Sequence, residues 1–95
     1  MKVEYSKRAL SDLREIAAYF ATLDDPSVGD RLAARIQQVA ARIAQLPQSG
    51  RPVAQRPGVR VVPLLRYPYL IFYAVSGDAV RILHIRHTAR RPWPR

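Results

Sequence analysis

Cysteine is absent from this chain. That excludes a disulfide framework, a thiolate metal site and a thiol nucleophile. Histidine occurs only at His84 and His87, too few for a structural zinc site, so neither a metal nor a cofactor is expected. No apolar run approaches the roughly 20 residues of a membrane helix. The opening Met1-Lys2-Val3-Glu4-Tyr5-Ser6 lacks the apolar core of a signal peptide. The expectation is a cytoplasmic protein with no membrane partner. Lysine is confined to Lys2 and Lys7, and carboxylates nearly vanish from the second half, where Asp78 stands alone.

What replaces them is arginine. Residues 1–46 balance seven cations against six anions, whereas residues 47–95 set nine arginines against Asp78. The net charge of +9 therefore resides almost wholly in the second half. Such a surplus concentrates polyanions near the surface and speeds encounter with them. A guanidinium also pairs with phosphate or carboxylate at two points and stacks on flat rings. A GC-rich genome would favour arginine codons equally well, but it does not explain the asymmetry between halves. At 95 residues, 48% of them hydrophobic, the chain suffices for one modest core. A single domain over 1–95 is expected, with 88–95 as a basic, proline-rich tail.

Along the chain, Lys2 to Tyr5 alternates as a short strand. Ser6 stands where an N-cap belongs. Leu10, Leu13, Ile16, Ala17 and Phe20 then recur at helical spacing, with Tyr19 at the margin and Lys7, Asp12, Arg14 and Glu15 off the stripe. Asp25-Pro26 opens a second helix along Val28, Leu32, Ile36, Val39, Ile43 and Leu46. Gly29 costs this helix about 1 kcal/mol relative to alanine. Pro47 ends it, and a loop punctuated by proline and glycine runs to Gly58. Gly58 to Leu65 reads as a strand whose Pro63 marks an edge or a bulge. Pro68 to Val75 is apolar enough for a central strand. After the turn Ser76-Gly77-Asp78, Ala79 to His87 forms the last strand. The order β-α-α-β-β-β implies an α+β fold, an antiparallel sheet with a helical hairpin packed on one face.

Several of these pieces resemble the RelE/ParE superfamily of toxins from type II toxin–antitoxin systems. They are Val3-Glu4-Tyr5-Ser6; Ala9, Asp12-Leu13, Ile16 and Tyr19; Pro47 with Gly50-Arg51; Gly58 with Arg60; the run Tyr67 to Val75; and Val80 to His87. The Pro-x-x-Gly-Arg loop, the Tyr-x-Ile-x-Tyr-x-Val strand, and His87 followed by Arg90 are closer to ParE. That resemblance implies a toxin that inhibits DNA gyrase and replication, neutralised in a hetero-oligomer by a cognate acidic antitoxin. The RelE branch implies instead a ribosome-dependent endonuclease acting on mRNA. A non-toxic nucleic-acid-binding module of the same fold is the third alternative.

Metal-free RNA cleavage needs a base for the 2′-hydroxyl, cations for the crowded phosphate and an acid for the leaving oxygen. With no lysine in the sheet region, the candidates are His84 and His87 for proton transfer and Arg60, Arg66 and Arg86 as phosphate clamps. Alternation puts His84 and Arg86 on one face of the last strand, and Leu83, Ile85 and His87 on the other. The two histidines then do not converge on one phosphate. His84 reads as part of a solvated face and His87 as a buried structural residue. This pattern suits a non-catalytic, binding toxin better than a nuclease. Arg60, pointing away from Val59 and Val61, joins Arg86, Arg90, Arg91 and Trp93 as candidate contacts to target or antitoxin. Trp93 either docks on the sheet or awaits a partner. Tyr69 and Tyr73 read as core aromatics.

Overall fold

A computed structural model describes residues 1–89; the candidates Arg90, Arg91 and Trp93 lie outside the described residues. The elements are β1 (Lys2–Tyr5), α1 (Lys7–Ala21), α2 (Ser27–Gln45), β2 (Arg51–Pro52), β3 (Val59–Pro63), β4 (Tyr69–Ser76) and β5 (Ala79–His87). The five strands form one sheet in the order β1-β5-β4-β3-β2. β2 through β5 pair antiparallel, as the short late connections require. β1 adds to β5 in parallel, with Val3 opposite Val80 and Tyr5 opposite Ile82. The helical hairpin between β1 and the late strands makes that possible, since parallel neighbours need a long crossover. The expected fold is thus present as a mixed sheet. The extra strand, β2, lies within the loop read from the sequence.

Both helix starts follow from local chemistry. The Ser6 hydroxyl accepts from the Ala9 amide at 3.0 Å, satisfying one orphan donor of the first turn. Asp25 accepts from the Ser27 amide at 3.1 Å, just ahead of α2. The hairpin closes tightly where Gly29 faces Phe20: a Cβ there would lie 2.9 Å from the Phe20 Cβ. Close approach accounts for a glycine that otherwise weakens the helix.

The main core lies between the hairpin and one sheet face. Leu32, Ile36, Val39, Ala40 and Ile43 of α2 meet Tyr69, Ile71, Tyr73, Val80, Ile82 and Ile85. Each large side chain buried this way contributes about 1.5–3 kcal/mol. The helical stripes differ from the sequence reading in detail. On α1, Ala9 is fully buried while Leu10 is 42% exposed, and Ala17 faces solvent. Leu46 caps α2 and is exposed. The stripe on α1 therefore runs through Ala9, Leu13, Ile16 and Phe20, rotated by one residue at its start.

A smaller cluster of Val59, Val61 and Phe72, flanked by Val53, Leu70 and Leu83, covers the other sheet face. Leu83 belongs there because β5 carries an irregularity: Phe72 pairs with His84, but Tyr73 pairs with Ile82. The extra residue breaks strict alternation. It corrects the expectation that Leu83 shares a face with Ile85 and His87, and it keeps both Ile82 and Ile85 in the main core.

The loop after α2 is fastened to the sheet by Tyr73, which is fully buried. Its hydroxyl accepts from the Gly50 amide at 2.9 Å and donates to the Pro47 carbonyl at 2.8 Å. A Cβ on Gly50 would stand 2.6 Å from that hydroxyl oxygen, so only glycine fits. Gly50→Ala is expected to cost about 1–3 kcal/mol by overpacking, read as a lower urea midpoint. Tyr73→Phe, which leaves the buried Gly50 amide unpaired, should cost about as much. Wild-type midpoints for both variants would contradict this clasp.

Candidate functional site

β1 ends opposite Ile82, so among the described residues the outer edge of β5 from Leu83 onward has no strand beside it. The start of α1 takes over that edge. The Ser6 amide donates to the Ile82 carbonyl at 2.9 Å, and the Ser6 hydroxyl donates to the Leu83 carbonyl at 2.9 Å. Two turns later, Asp12 Oδ2 accepts from the Ile85 amide at 2.9 Å and lies 2.7 Å from His84 Nδ1. Arg8 Nε donates to the other carboxylate oxygen at 3.3 Å. Asp12 and His84 are among the few polar residues buried in the described chain, at 7% and 5% exposure. An unpaired carboxylate would be costly there; hydrogen bonds from three residues make it tolerable.

His84 is therefore enclosed, which corrects its expected place on a solvated face. Its ring stacks on Phe72 with centroids 5.9 Å apart. Burial holds its pKa below the ordinary 6.5, outweighing the upward pull of Asp12, and the nearby Arg8 and Arg86 push in the same direction as burial. At neutral pH the ring is uncharged, with Nδ1–H directed at Asp12. Arg86 also lies over Phe72, its guanidinium carbon 5.7 Å from the ring centroid. His84 and Arg86 thus share the sheet face away from the helices, as alternation indicated.

The remaining candidates are dispersed. His87 is partly buried on the helix side, edge-on to Tyr69 at 5.2 Å. It lines a groove of about 510 Å³ with Asp12, Ile16, Tyr19, Phe20 and Tyr67. Arg60 points away from Val59 and Val61 and is engaged by the loop after α2. It donates to the Gly50 carbonyl at 2.7 Å and to Gln48 Oε1 at 2.6 Å. Arg66 is exposed in the turn between β3 and β4. Among the described residues, the structure brings together only His84 and Arg86 from the candidate nuclease set.

Asp12, which the sequence reading places off the apolar stripe, is instead buried with Ala9 on the inner face of α1. Its signal is the spacing, three residues after Ala9 and four before Ile16, which shows only once the stripe is drawn through Ala9 rather than Leu10. Gly50 and Tyr73 had no such signal, because their contact joins residues far apart in sequence.

The geometry defines a class first: a small, arginine-rich α+β protein with a helical hairpin on one face of a mixed sheet. The model of the ParE toxin of the type II toxin–antitoxin system, parDE, matches residues 3–92, and the chain belongs to that family. It is 37% identical over 90 residues to Toxin RelE2 of Caulobacter vibrioides, covering 94% of this chain and 97% of that one. The chromosomal ParDE toxin–antitoxin system from P. aeruginosa has a chain that superposes with a TM-score of 0.68 at 27% identity, over 92% of this chain and 95% of its own. A YoeB/ParE toxin from Agrobacterium tumefaciens shares the fold, with a TM-score of 0.67 at 16% identity over 92% of this chain and 98% of its own. The protein is a toxin of the ParE/RelE type II toxin–antitoxin group.

The His84 environment carries a pH signature. A histidine whose pKa is lowered on folding binds fewer protons native than unfolded, so stability falls as pH drops. Unfolding free energy should hold steady above pH 6.5 and decline below it, towards the lowered native value. His84→Asn, whose amide can still donate to Asp12, should flatten that decline in urea titrations between pH 5 and 7. An equally steep decline in the variant would contradict this assignment.

Proposed function

We propose that this toxin acts by binding rather than by cutting: it inhibits DNA gyrase, blocks replication, and is neutralised by a cognate antitoxin. The observation that supports this reading most is the enclosure of His84. Strands β2 to β5 and their connections hold no lysine and one carboxylate, Asp78, so a nuclease on this part of the sheet would depend on histidine as base. His84 is 5% exposed and committed to Asp12, while His87 faces the other side of the sheet against Tyr69. Arg60, the clamp candidate nearest β2, is committed to two loop residues. A base within reach of a substrate proton and a cation at the same phosphate are minimum requirements for cleavage. The match to the ParE family and the likeness to a ParDE toxin favour the same branch.

The antitoxin in this reading is an acidic segment that orders on binding, drawn by the positive surface. The groove beside α1, where Tyr19 is 60% exposed, is apolar surface such a segment would cover. A second reading, ribosome-dependent mRNA cleavage, is favoured by the RelE2 name of the 37% identical relative. Purified toxin separates the two. It should suppress supercoiling by gyrase in a dose-dependent way and leave mRNA intact on translating ribosomes. Cleavage of ribosome-bound mRNA with unimpaired supercoiling would overturn the proposal.

A further inference from the structure

A second cleft of about 580 Å³, which shares Tyr67 with the groove beside α1, opens between α2 and the turn joining β3 to β4. Arg31, Arg35 and Arg66 line it, with Ala34, Gln38, Leu65 and Tyr67 between them. Among the described residues, no carboxylate lines it. Arg31 Nη1 donates to the Ser27 hydroxyl at 3.0 Å, which in turn bonds Asp25. Arg35 meets only the neutral Gln38 oxygen, at 3.4 Å. None of the three forms an ion pair among the described residues. Arg31 and Arg35 are spaced i,i+4, where like charges weaken a helix. Arg31 reaches Asp25 through Ser27, whereas Arg35 and Arg66 have no acidic partner among the described residues.

Arg66 supplies an independent observation. It occupies the third position of a tight turn, closed by the Tyr67 amide on the Leu64 carbonyl at 3.1 Å. Its φ is 79°, and it is the single non-glycine described residue with positive φ. Glycine adopts that conformation freely, whereas a side chain there is strained. The arginine is thus held where backbone preference argues against it, with its side chain beside two further guanidinium groups.

We propose that this cleft grips the phosphate backbone of duplex DNA, a role that rests on the gyrase reading, because gyrase works on bound DNA. The chemistry favours nucleic acid over an acidic protein. A protein partner needs apolar anchors in fitted pockets, and here the wall offers Ala34, a half-buried Tyr67 and an outward Leu65 that is 64% exposed. Backbone phosphates need what is present: forked cations on a helix and a turn, two of them without an acidic partner among the described residues. The toxin then contacts DNA directly while it is seated on the enzyme.

The test is fluorescence anisotropy of a short labelled duplex with purified toxin across a salt series. Wild type should bind with steep salt dependence. R31Q/R35Q/R66Q should lose about tenfold or more in affinity and reduce the log–log salt slope by about 2 to 3, as three lost phosphate contacts require. A charge-matched control, R14Q/R51Q/R81Q, removes the same charge from elsewhere and should retain most of the binding. Arg66→Gly, which relieves the turn, should raise Tm while weakening DNA binding; a purely structural arginine would not separate the two. Equal losses in both triple variants, or no loss in the first, would overturn the proposal. So would tighter, cleft-dependent binding of poly-glutamate than of DNA. Gyrase left uninhibited while cleft-dependent DNA binding persists would refute the gyrase reading and leave the cleft standing.

Discussion

The structure depends on how the outer edge of β5 is closed. A strand edge without a partner exposes amides and carbonyls that must be satisfied, and β1 is too short to pair with all of β5. The first two turns of α1 do the rest, through Ser6 and above all Asp12. One carboxylate receives the Ile85 amide and His84, and so fixes α1 along the sheet. The position of α1 in turn sets the helical hairpin, the main core and the groove that faces His87. Losing Asp12 would leave a buried amide and a buried imidazole without their acceptor, at about 1–3 kcal/mol each.

This constraint also bears on function. Residues that resemble catalytic groups by type are part of what holds the molecule together: His84 through Asp12, Arg60 through the loop after α2, Tyr73 through Gly50 and Pro47. Positive charge free of such duties lies towards the periphery, on the outer face of α2 and in the strained turn at Arg66. The fold thus carries these cations at its surface while its polar interior stays closed.

Most of the architecture was legible in the sequence because it rests on periodicity and punctuation. Ser6, Pro47 and Ser76-Gly77-Asp78 mark boundaries that the structure keeps, and Ala79 to His87 is one strand as expected. The illegible parts depend on contacts between distant residues or on a broken period. The bulge that moves Leu83 to the far face shows in the sequence only as two adjacent apolar residues, Ile82 and Leu83, which do not say which of them turns away. The parallel seat of β1 follows from the crossover length, which the order of elements permits but does not require. His84 was misplaced because a strand edge covered by a helical side chain looks, in sequence, like an open one. Asp12 was the available clue, a carboxylate within the apolar stripe once that stripe is drawn through Ala9.

The most direct measurement is growth arrest by His84→Asn in the absence of antitoxin, normalised to the amount of folded protein. Asparagine preserves a donor for Asp12 and removes any capacity to move a proton. Arrest per folded molecule equal to wild type is the result this account predicts. Wild-type levels of folded variant with normal growth would contradict it and make His84 a catalytic base.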